Sequence, residues 1–378
     1  AGAGPIMGPI QASIFGWVPV MLWILIGGIF FGGVHDYGSL FASIRHDGKS
    51  IGEIIGTNMG KKGKRLFSIF AWLTLLLIIA AFTNITANTF VSVPSAATSS
   101  LLFIPLAIIF GVLVYRKNVP LGVSTILGVI LLFICVWLGM TFPLILSKTA
   151  WIIILLAYIF VASVVPVWIL LQPRDYLSSF LLYALVIGAI VGIFITRPFP
   201  CLGSGTTSKQ LDKEKDAKLI GYGGMLIECI VAIVAIITAG YISKGKLSEL
   251  LGAGGPVNVF SNGIGNFMNS FGIPVGVGTS FAALAVSTFA MTSLDTSTRL
   301  GRFIFQEYFE DFKKKDTNSF LTNRYVSTTI TVVLAGILAF KGWDAIWPLF
   351  GSANQLLAAL SLMAIAVWLT NTGKNRKM

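Results

Sequence analysis

Residues 66–90 read LFSIFAWLTLLLIIAAFTNITANTF and decide the fold class. None of these 25 side chains is charged. As an α-helix the stretch is about 37 Å long, because each residue adds about 1.5 Å. The hydrocarbon core of a bilayer is about 30 Å thick. The stretch therefore predicts a helix that crosses a membrane.

The rest of the chain repeats this pattern. Of its 378 residues, 55% are apolar and only 11% are charged, whereas a soluble domain carries about 25% charged residues. The composition indicates an all-α, polytopic helical membrane protein in which residues 1–378 form a single transmembrane domain. Ten apolar runs predict its crossings, and they lie at residues 11–34, 66–90, 99–115, 119–139, 149–172, 176–195, 219–241, 276–297, 324–340 and 352–370.

Short loops between the runs carry the positive charge and predict the orientation. The loop over residues 45–65 has six Lys and Arg residues against two carboxylates. Short loops rich in Lys and Arg stay in the cytoplasm. Counting crossings from this loop also places Arg116, Lys117 and Arg174 inside, so three loops agree. Because the cations serve this role, the net charge of +12 does not indicate a nucleic-acid partner.

After residue 195, counting one membrane crossing for each apolar run gives an orientation that conflicts with the positive charge of the loops. It places the lysines of residues 209–218, the basic loop over residues 299–324 and the basic C-terminal tail outside the cell. One more crossing between Thr196 and Ser204 corrects all three. We therefore predict that a segment of about 20 residues is absent near residues 200–201. There are two alternatives. One of the ten runs is misassigned, or the run 176–195 is re-entrant and does not cross the membrane. The length and apolar character of that run argue against the second alternative.

Six motifs spread over the chain resemble the carbon starvation protein A (CstA) family of membrane transporters. They are AGAGPIMGPI at residues 1–10, FGGVHDYGSLFASIRHDGKSIGEI at 31–54, LQPRDYLSSF at 171–180, SGTTSKQL at 204–211, AMTSLDTSTRLGRFIFQE at 290–307 and WPLFGSANQLLAAL at 347–360.

The resemblance implies a transporter of the bacterial inner membrane that takes up peptides during carbon starvation. It also implies a distant relation to the amino acid–polyamine–cation transporters, which use inverted repeats and broken helices. A proton is the expected coupling ion, with Na⁺ as the alternative, and no cofactor is expected. The alternative function is a symporter of pyruvate or another small carboxylate. Family members also have an apolar segment before AGAGP and another before SGTTSK, whereas this sequence begins at the first motif and has PFPCLG before the second.

The AGAGP motif is the first candidate substrate or ion site. Gly2, Gly4, Pro5 and Gly8 predict a break in the helix that exposes backbone N–H and C=O groups. In transporters such breaks near the middle of the membrane bind substrates and ions. The alternative is a plain loop before the first crossing.

The SGTTSK motif is the second candidate site. Ser204, Thr206 and Thr207 follow the predicted missing crossing. The motif lacks the spacing of a phosphate-binding P-loop. We interpret it as a polar loop or helix start that completes the substrate or ion site.

The run over residues 276–297 is rich in hydroxyl groups. Thr288, Thr292 and Asp295 follow an i, i+4, i+7 spacing and should share one helix face, next to Ser293. Hydroxyl and carboxylate oxygens suit Na⁺ or a polar substrate. The alternatives are close helix packing and a simple pairing of Asp295 with Arg299.

Three ionisable residues are candidates for proton coupling. Glu228 lies near the middle of the run 219–241, a depth at which ionisable groups are usually functional. Its alternative role is a hydrogen bond to a neighbouring helix. His35 and Asp36 lie at the inner end of the first run. Histidine suits proton transfer, and the alternative is an interfacial cluster that fixes the helix end.

The sequence argues against other classes of function. An intramembrane hydrolase needs a paired-aspartate, Ser/His or metal-binding motif, and a channel needs a repeated pore ring. The sequence contains no nucleotide-binding domain that would drive transport with ATP. We therefore expect no enzyme activity and no metal site. The expected partners are the lipid bilayer and a small-molecule peptide or carboxylate, with a cytoplasmic C-terminus. The sequence leaves the oligomeric state open.

Overall fold

The computed structural model describes residues 3–196, 218–242, 244–310, 320–341 and 343–373. These residues form helices joined by short connections. The α-helices of this part of the chain are α1 (Gly4–Ala12), α2 (Trp17–Leu22), α3 (Gly33–Ile44), α4 (Ile51–Met59), α5 (Lys61–Ser92), α6 (Pro94–Tyr115), α7 (Leu121–Thr141), α8 (Lys148–Val164), α9 (Leu171–Thr196), α10 (Gly223–Tyr241), α11 (Lys244–Asn269), α12 (Val275–Glu310), α13 (Arg324–Ala339) and α14 (Trp343–Asn371).

Eight helical stretches of the described residues are long and apolar enough to cross a membrane. The first combines α2, a π-helical turn at Trp23–Gly32 and α3 into Trp17–Ile44. The others are α5, α6, α7, α9, α10, α12 and α14, and α8 and α13 are shorter apolar helices. Each of the ten predicted runs thus corresponds to a helix, and the predicted polytopic helical membrane fold is confirmed.

The Gly- and Pro-rich start of the chain differs from the prediction. Gly4–Ala12 is an α-helix, with its break only afterwards, where Gly16 has a φ of 96°. Pro5 fits because the first turn of a helix needs no N–H donor. Pro9 lies inside the helix, where it removes one hydrogen bond and its ring crowds the carbonyl of Pro5, but the helix continues to Ala12. The prediction that the motif itself interrupts the helix is therefore wrong.

Helix α11 is an element that the sequence analysis missed. Its second half buries Val257, Phe260, Ile264 and Phe267. A Cβ added at Gly263 would lie 2.7 Å from the Cγ2 atom of Thr238 in α10. Because its glycines allow this close approach, α11 packs in the core even though its Gly, Asn and Ser residues keep its hydropathy low.

Helices α9 and α10 have their C-terminal ends on the same side of the bundle. In α9, a Cβ added at Gly192 would lie 2.6 Å from the carbonyl carbon of Phe267 in α11. In α10, Thr238 lies against Gly263 of the same helix α11. Both contacts are within five residues of the helix ends.

The opposite side of the bundle holds the start of α10. Gly221 lies against Tyr37 of α3, and the chain after α3 contacts the far end of α12, where Ser50 Oγ donates to Glu307 Oε1 at 3.1 Å. The chain thus leaves α9 and enters α10 at opposite ends of the bundle. The additional crossing near residues 200–201 falls outside the described residues and stays a prediction.

Candidate functional site

A buried ion pair joins two of the membrane-spanning helices. Arg174 lies in the first turn of α9, and Asp295 lies in α12. Their side chains are 1% and 0% exposed, and Arg174 Nη1 contacts Asp295 Oδ2 directly. Removing two charges from water costs several kcal/mol for each ion. Ionisable residues at such positions therefore usually have a function.

Three further side chains complete this site, which we call the Arg174 cluster: Tyr158, Arg174, Asp175, Thr292 and Asp295. The hydroxyl of Tyr158, in α8, donates to Asp295 Oδ2 at 2.9 Å and contacts Arg174 Nη1. Arg174 Nη2 donates to Thr292 Oγ1 at 3.1 Å, and Thr292 Oγ1 donates to Asp175 Oδ1 at 2.9 Å. The cluster therefore connects α8, α9 and α12.

Local sequence explains how the helices present these groups. Pro173 lies at the start of α9, where a proline is tolerated, and places Arg174 at the helix entrance. Thr292 and Asp295 are three residues apart in α12 and lie on one face, as the spacing predicts. Thr288 is one turn earlier, and its carbonyl oxygen is a second acceptor for the Thr292 hydroxyl at 3.1 Å.

The cluster holds one cation and two carboxylates, so its charges do not balance when both acids are ionised. Asp175 has a side chain that is 40% exposed, and solvent stabilises its charge. Asp295 is fully buried, and its Oδ1 atom has no hydrogen-bond partner among the described residues. A carboxylate oxygen with unused capacity can accept a proton or coordinate a small cation.

The other predicted residues of α12 form no part of the cluster. The Thr288 hydroxyl donates to Leu284 O at 2.8 Å, and Ser293 Oγ donates to Phe289 O at 3.2 Å, so both hydroxyls bond their own helix. The proposed pairing of Asp295 with Arg299 is wrong. Arg299 instead donates to the backbone of the segment that follows α8.

The N-terminal candidate residues lie on a helix face with open space. A Cβ added at Gly4 or Gly8 would meet no heavy atom within 4 Å among the described residues. Gln11 shares this face by its spacing, and its buried Oε1 atom has no hydrogen-bond partner in this part of the chain. Pro5 lies in the first turn of the same helix. The other predicted residues at these two motifs, Gly2, Ser204, Thr206 and Thr207, lie outside the described residues.

The three proton-coupling candidates lie on α3 and α10. His35 Nδ1 and Asp36 Oδ1 form a hydrogen bond of 2.9 Å, and Asp36 is buried. Glu228 is half-buried in the second turn of α10. The pairing of His35 with Asp36 fits both of the interpretations that the sequence left open for them.

The sequence does not reveal Tyr158, and it places Arg174 only in a cytoplasmic loop between two apolar runs. Both residues meet Asp295 only through tertiary packing, since Arg174 and Asp295 are 121 positions apart. One signal was present, because Arg174 and Asp175 stand together between two apolar runs in the sequence LLQPRDYL.

We expect Tyr158→Phe to lower the free energy of unfolding by about 1.5–3 kcal/mol, because Asp295 loses a donor to a charged acceptor in a buried site. The ring and its packing remain. Thermal unfolding of the purified chain in detergent measures the effect. Tyr183→Phe is the matched control, since that tyrosine is 54% exposed. Equal stability of the two variants would contradict the expectation.

The eight long apolar helices of the described residues define a polytopic helical membrane protein, and its core holds a charged cluster. The family model described as "Carbon starvation protein CstA" matches residues 1–202, 199–254 and 246–378. The chain therefore belongs to the CstA family, as its motifs predict.

Curated relatives are similar over nearly the whole of this chain. A Helicobacter pylori protein named peptide transporter CstA is 30% identical over 99% of this chain and 69% of its own length. The Bacillus subtilis peptide transporter CstA is 29% identical over 96% of this chain and 74% of its own. The Escherichia coli pyruvate/proton symporter BtsT is 27% identical over 96% of this chain and 68% of its own.

The alignments include residues that this chain does not have. The match to the Helicobacter pylori protein extends over 478 positions, although the chain has 378 residues. The relative therefore has about one hundred additional residues within the matched region. Successive parts of the family match meet at residues 199–202 and 246–254.

Proposed function

We propose that this chain is a secondary active transporter that imports small organic nutrients, with peptides as substrates and protons as the coupling ion. The observation that carries the proposal is the Arg174–Asp295 pair, which is fully buried between two membrane-spanning helices and has one carboxylate oxygen without a hydrogen-bond partner among the described residues. The names of the relatives from Helicobacter pylori and Bacillus subtilis support peptides as substrates.

The cluster supports a simple coupling scheme. When Asp295 is ionised it holds Arg174, and the hydroxyl of Tyr158 stabilises its charge. When Asp295 takes up a proton, its attraction to Arg174 falls, and the guanidinium group can bind a substrate carboxylate in its place. Because the pair joins α9 to α12, the same step loosens a helix contact that changes during alternating access.

A symporter of pyruvate or another small carboxylate is the second candidate. It is supported by the similarity to the pyruvate/proton symporter of Escherichia coli and by the same guanidinium group, because pyruvate also has a carboxylate. Na⁺ in place of the proton is the alternative coupling ion, for which the oxygens of Thr292 and Asp295 are suitable ligands. Each alternative changes the substrate or the ion but keeps the transport mechanism.

Proteoliposomes provide the test. We expect labelled dialanine to accumulate under an imposed proton gradient and labelled pyruvate to accumulate at least tenfold less. Asp295→Asn should abolish accumulation but retain exchange of substrate across the membrane, because Arg174 and the rest of the cluster remain and only the titrating group is lost. Asp47→Asn, at an exposed aspartate outside the cluster, is the matched control. Uptake that ignores both proton and sodium gradients would refute the proposal.

Glu228 needs its own experiment, because it is a second carboxylate of the membrane helices proposed for proton coupling, besides Asp36. Glu228→Gln should reduce proton-driven uptake if this residue carries the proton. Full proton-driven uptake by the variant would remove Glu228 from the mechanism, and the Arg174 cluster would remain. The His35–Asp36 pair is tested in the same assay by Asp36→Asn.

We further propose that the chain resides in the inner membrane of a bacterium with its C-terminus in the cytoplasm. The distribution of Lys and Arg among the loops and the bacterial relatives support this arrangement. A cysteine added after the C-terminal tail should react with an impermeant maleimide only in opened cells. Labelling in intact cells would reverse the assignment.

A further inference from the structure

Three arginines converge on the C-terminal end of α8. Arg299 donates to Ala162 O at 2.6 Å and to Val165 O at 2.8 Å. Arg302 donates to Ser163 O at 2.7 Å. The third arginine is Arg324, at the start of α13, which donates to the neighbouring Val164 O at 3.2 Å. Residues of α12 and α13 thus place three positive charges around one helix end.

A cavity of about 460 Å³ opens beside these guanidinium groups. Among the described residues that line it, none is a carboxylate. Its neutral walls include Phe303, and its polar groups include Gln306 and Thr322. The lining therefore carries a formal charge of about +3, since arginine is always protonated.

Capping of α8 explains only part of this arrangement. Four carbonyl oxygens accept hydrogen bonds from the three arginines, whereas each guanidinium group has five N–H donors. Arg302 is only 3% exposed, and its Nε has no hydrogen-bond partner among the described residues, as is also true of Arg299 Nε. A buried donor without an acceptor is costly, so the site has unused capacity for an anion.

We propose that this cavity binds a phosphate-bearing anion at the cytoplasmic end of the bundle. Phosphate carries up to two negative charges and several acceptor oxygens, which match the planar forks of two or three arginines. The volume leaves room for the organic part of a phosphate ester. The bound group would hold α12 and α13 against the end of α8. The ligand is either a phospholipid headgroup or a soluble phosphate, and the chemistry is shared.

Arg324→Gln is the variant of choice. Arg324 is exposed and makes one long hydrogen bond, so the chain should fold without it. Arg116→Gln is the matched control, because Arg116 lies over the ring of Trp168 and lines no part of the cavity. Arg324→Lys keeps the charge and should retain partial binding.

Two arms distinguish the source of the phosphate. In the first, calorimetry of the full chain in a neutral detergent measures pyrophosphate binding. In the second, native mass spectrometry measures phosphatidylglycerol retained from nanodiscs, compared with phosphatidylcholine. We expect saturable binding in at least one arm and a loss of tenfold or more in Arg324→Gln, with Arg116→Gln unchanged.

Three results would overturn the proposal. The first is no binding by the unmodified chain in either arm. The second is equal binding by Arg324→Gln and the unmodified chain. The third is acetate binding as tight as pyrophosphate binding, because a site that does not prefer phosphate to a carboxylate belongs to another class. Binding in the first arm alone identifies a soluble ligand, and binding in the second arm alone identifies a lipid.

Discussion

Replacing Arg174 with methionine is expected to lower the free energy of unfolding by about 3–5 kcal/mol, because it leaves Asp295 buried without its cation. The side chain of Asp295 is fully buried, so water cannot replace the guanidinium group. Tyr158 and its single hydroxyl can satisfy only part of the remaining charge. Thermal unfolding in detergent, followed by size-exclusion chromatography, measures the loss.

The double variant Arg174→Met/Asp295→Leu separates stability from function. Replacing a whole buried pair with apolar side chains is often neutral or stabilising, so the double variant should regain most of the stability lost in Arg174→Met. It should still fail to transport. Arg116→Met is the control, since that arginine is exposed. A double variant no more stable than Arg174→Met alone would show that the two residues do not act as a pair.

Gly192→Ala is expected to destabilise the chain by about 3 kcal/mol, the upper part of the usual range for overpacking. The added Cβ would lie 2.6 Å from the carbonyl carbon of Phe267, and backbone of a packed helix cannot move aside as a side chain can. This cost exceeds the gain of about 1 kcal/mol that alanine brings to a helix in place of glycine. Unfolding in a denaturant series measures the difference.

Gly188→Ala supplies a matched control one turn earlier in the same helix. Its added Cβ would lie 3.6 Å from Met268 Cε, an ordinary contact with a flexible side chain. This variant should therefore be as stable as the unmodified chain or more so. If both substitutions have the same effect, the close approach of α9 and α11 does not determine stability.

Hydropathy was sufficient to find the long apolar helices and insufficient for α11. Hydropathy averaged over a window of residues identifies α5 because its side chains are large and apolar. It misses α11 because Gly263 and Gly265 are small and contribute little hydropathy. These glycines matter because they allow neighbouring elements to come close. A Cβ at Gly265 would lie 2.8 Å from Val275 O. Small residues pack helices in a membrane without adding to their apolar character.

The candidate site was predictable only within one helix. The spacing of Thr292 and Asp295 gave their common face, because helical geometry is local. The partner of Asp295 was not predictable, because Arg299 is four residues away and satisfies the same local rule. In the structure, Asp295 pairs with Arg174 from a distant helix, and Arg299 donates to Val165 O. Such a choice depends on how helices pack, which a single sequence does not specify.

Helix α12 extends far beyond the Arg174 cluster and connects it to a distant loop. The helix has 36 residues and is therefore about 54 Å long, well beyond the roughly 30 Å of a hydrocarbon core. Glu307 lies about 18 Å beyond Asp295 along its axis. A tilt of about 10° around Asp295 moves Glu307 by about 3 Å over that axial distance, which is enough to break its hydrogen bond with Ser50 Oγ. A tilt of helix α12 can thus transmit a change in the charge of Asp295 to the loop that follows α3.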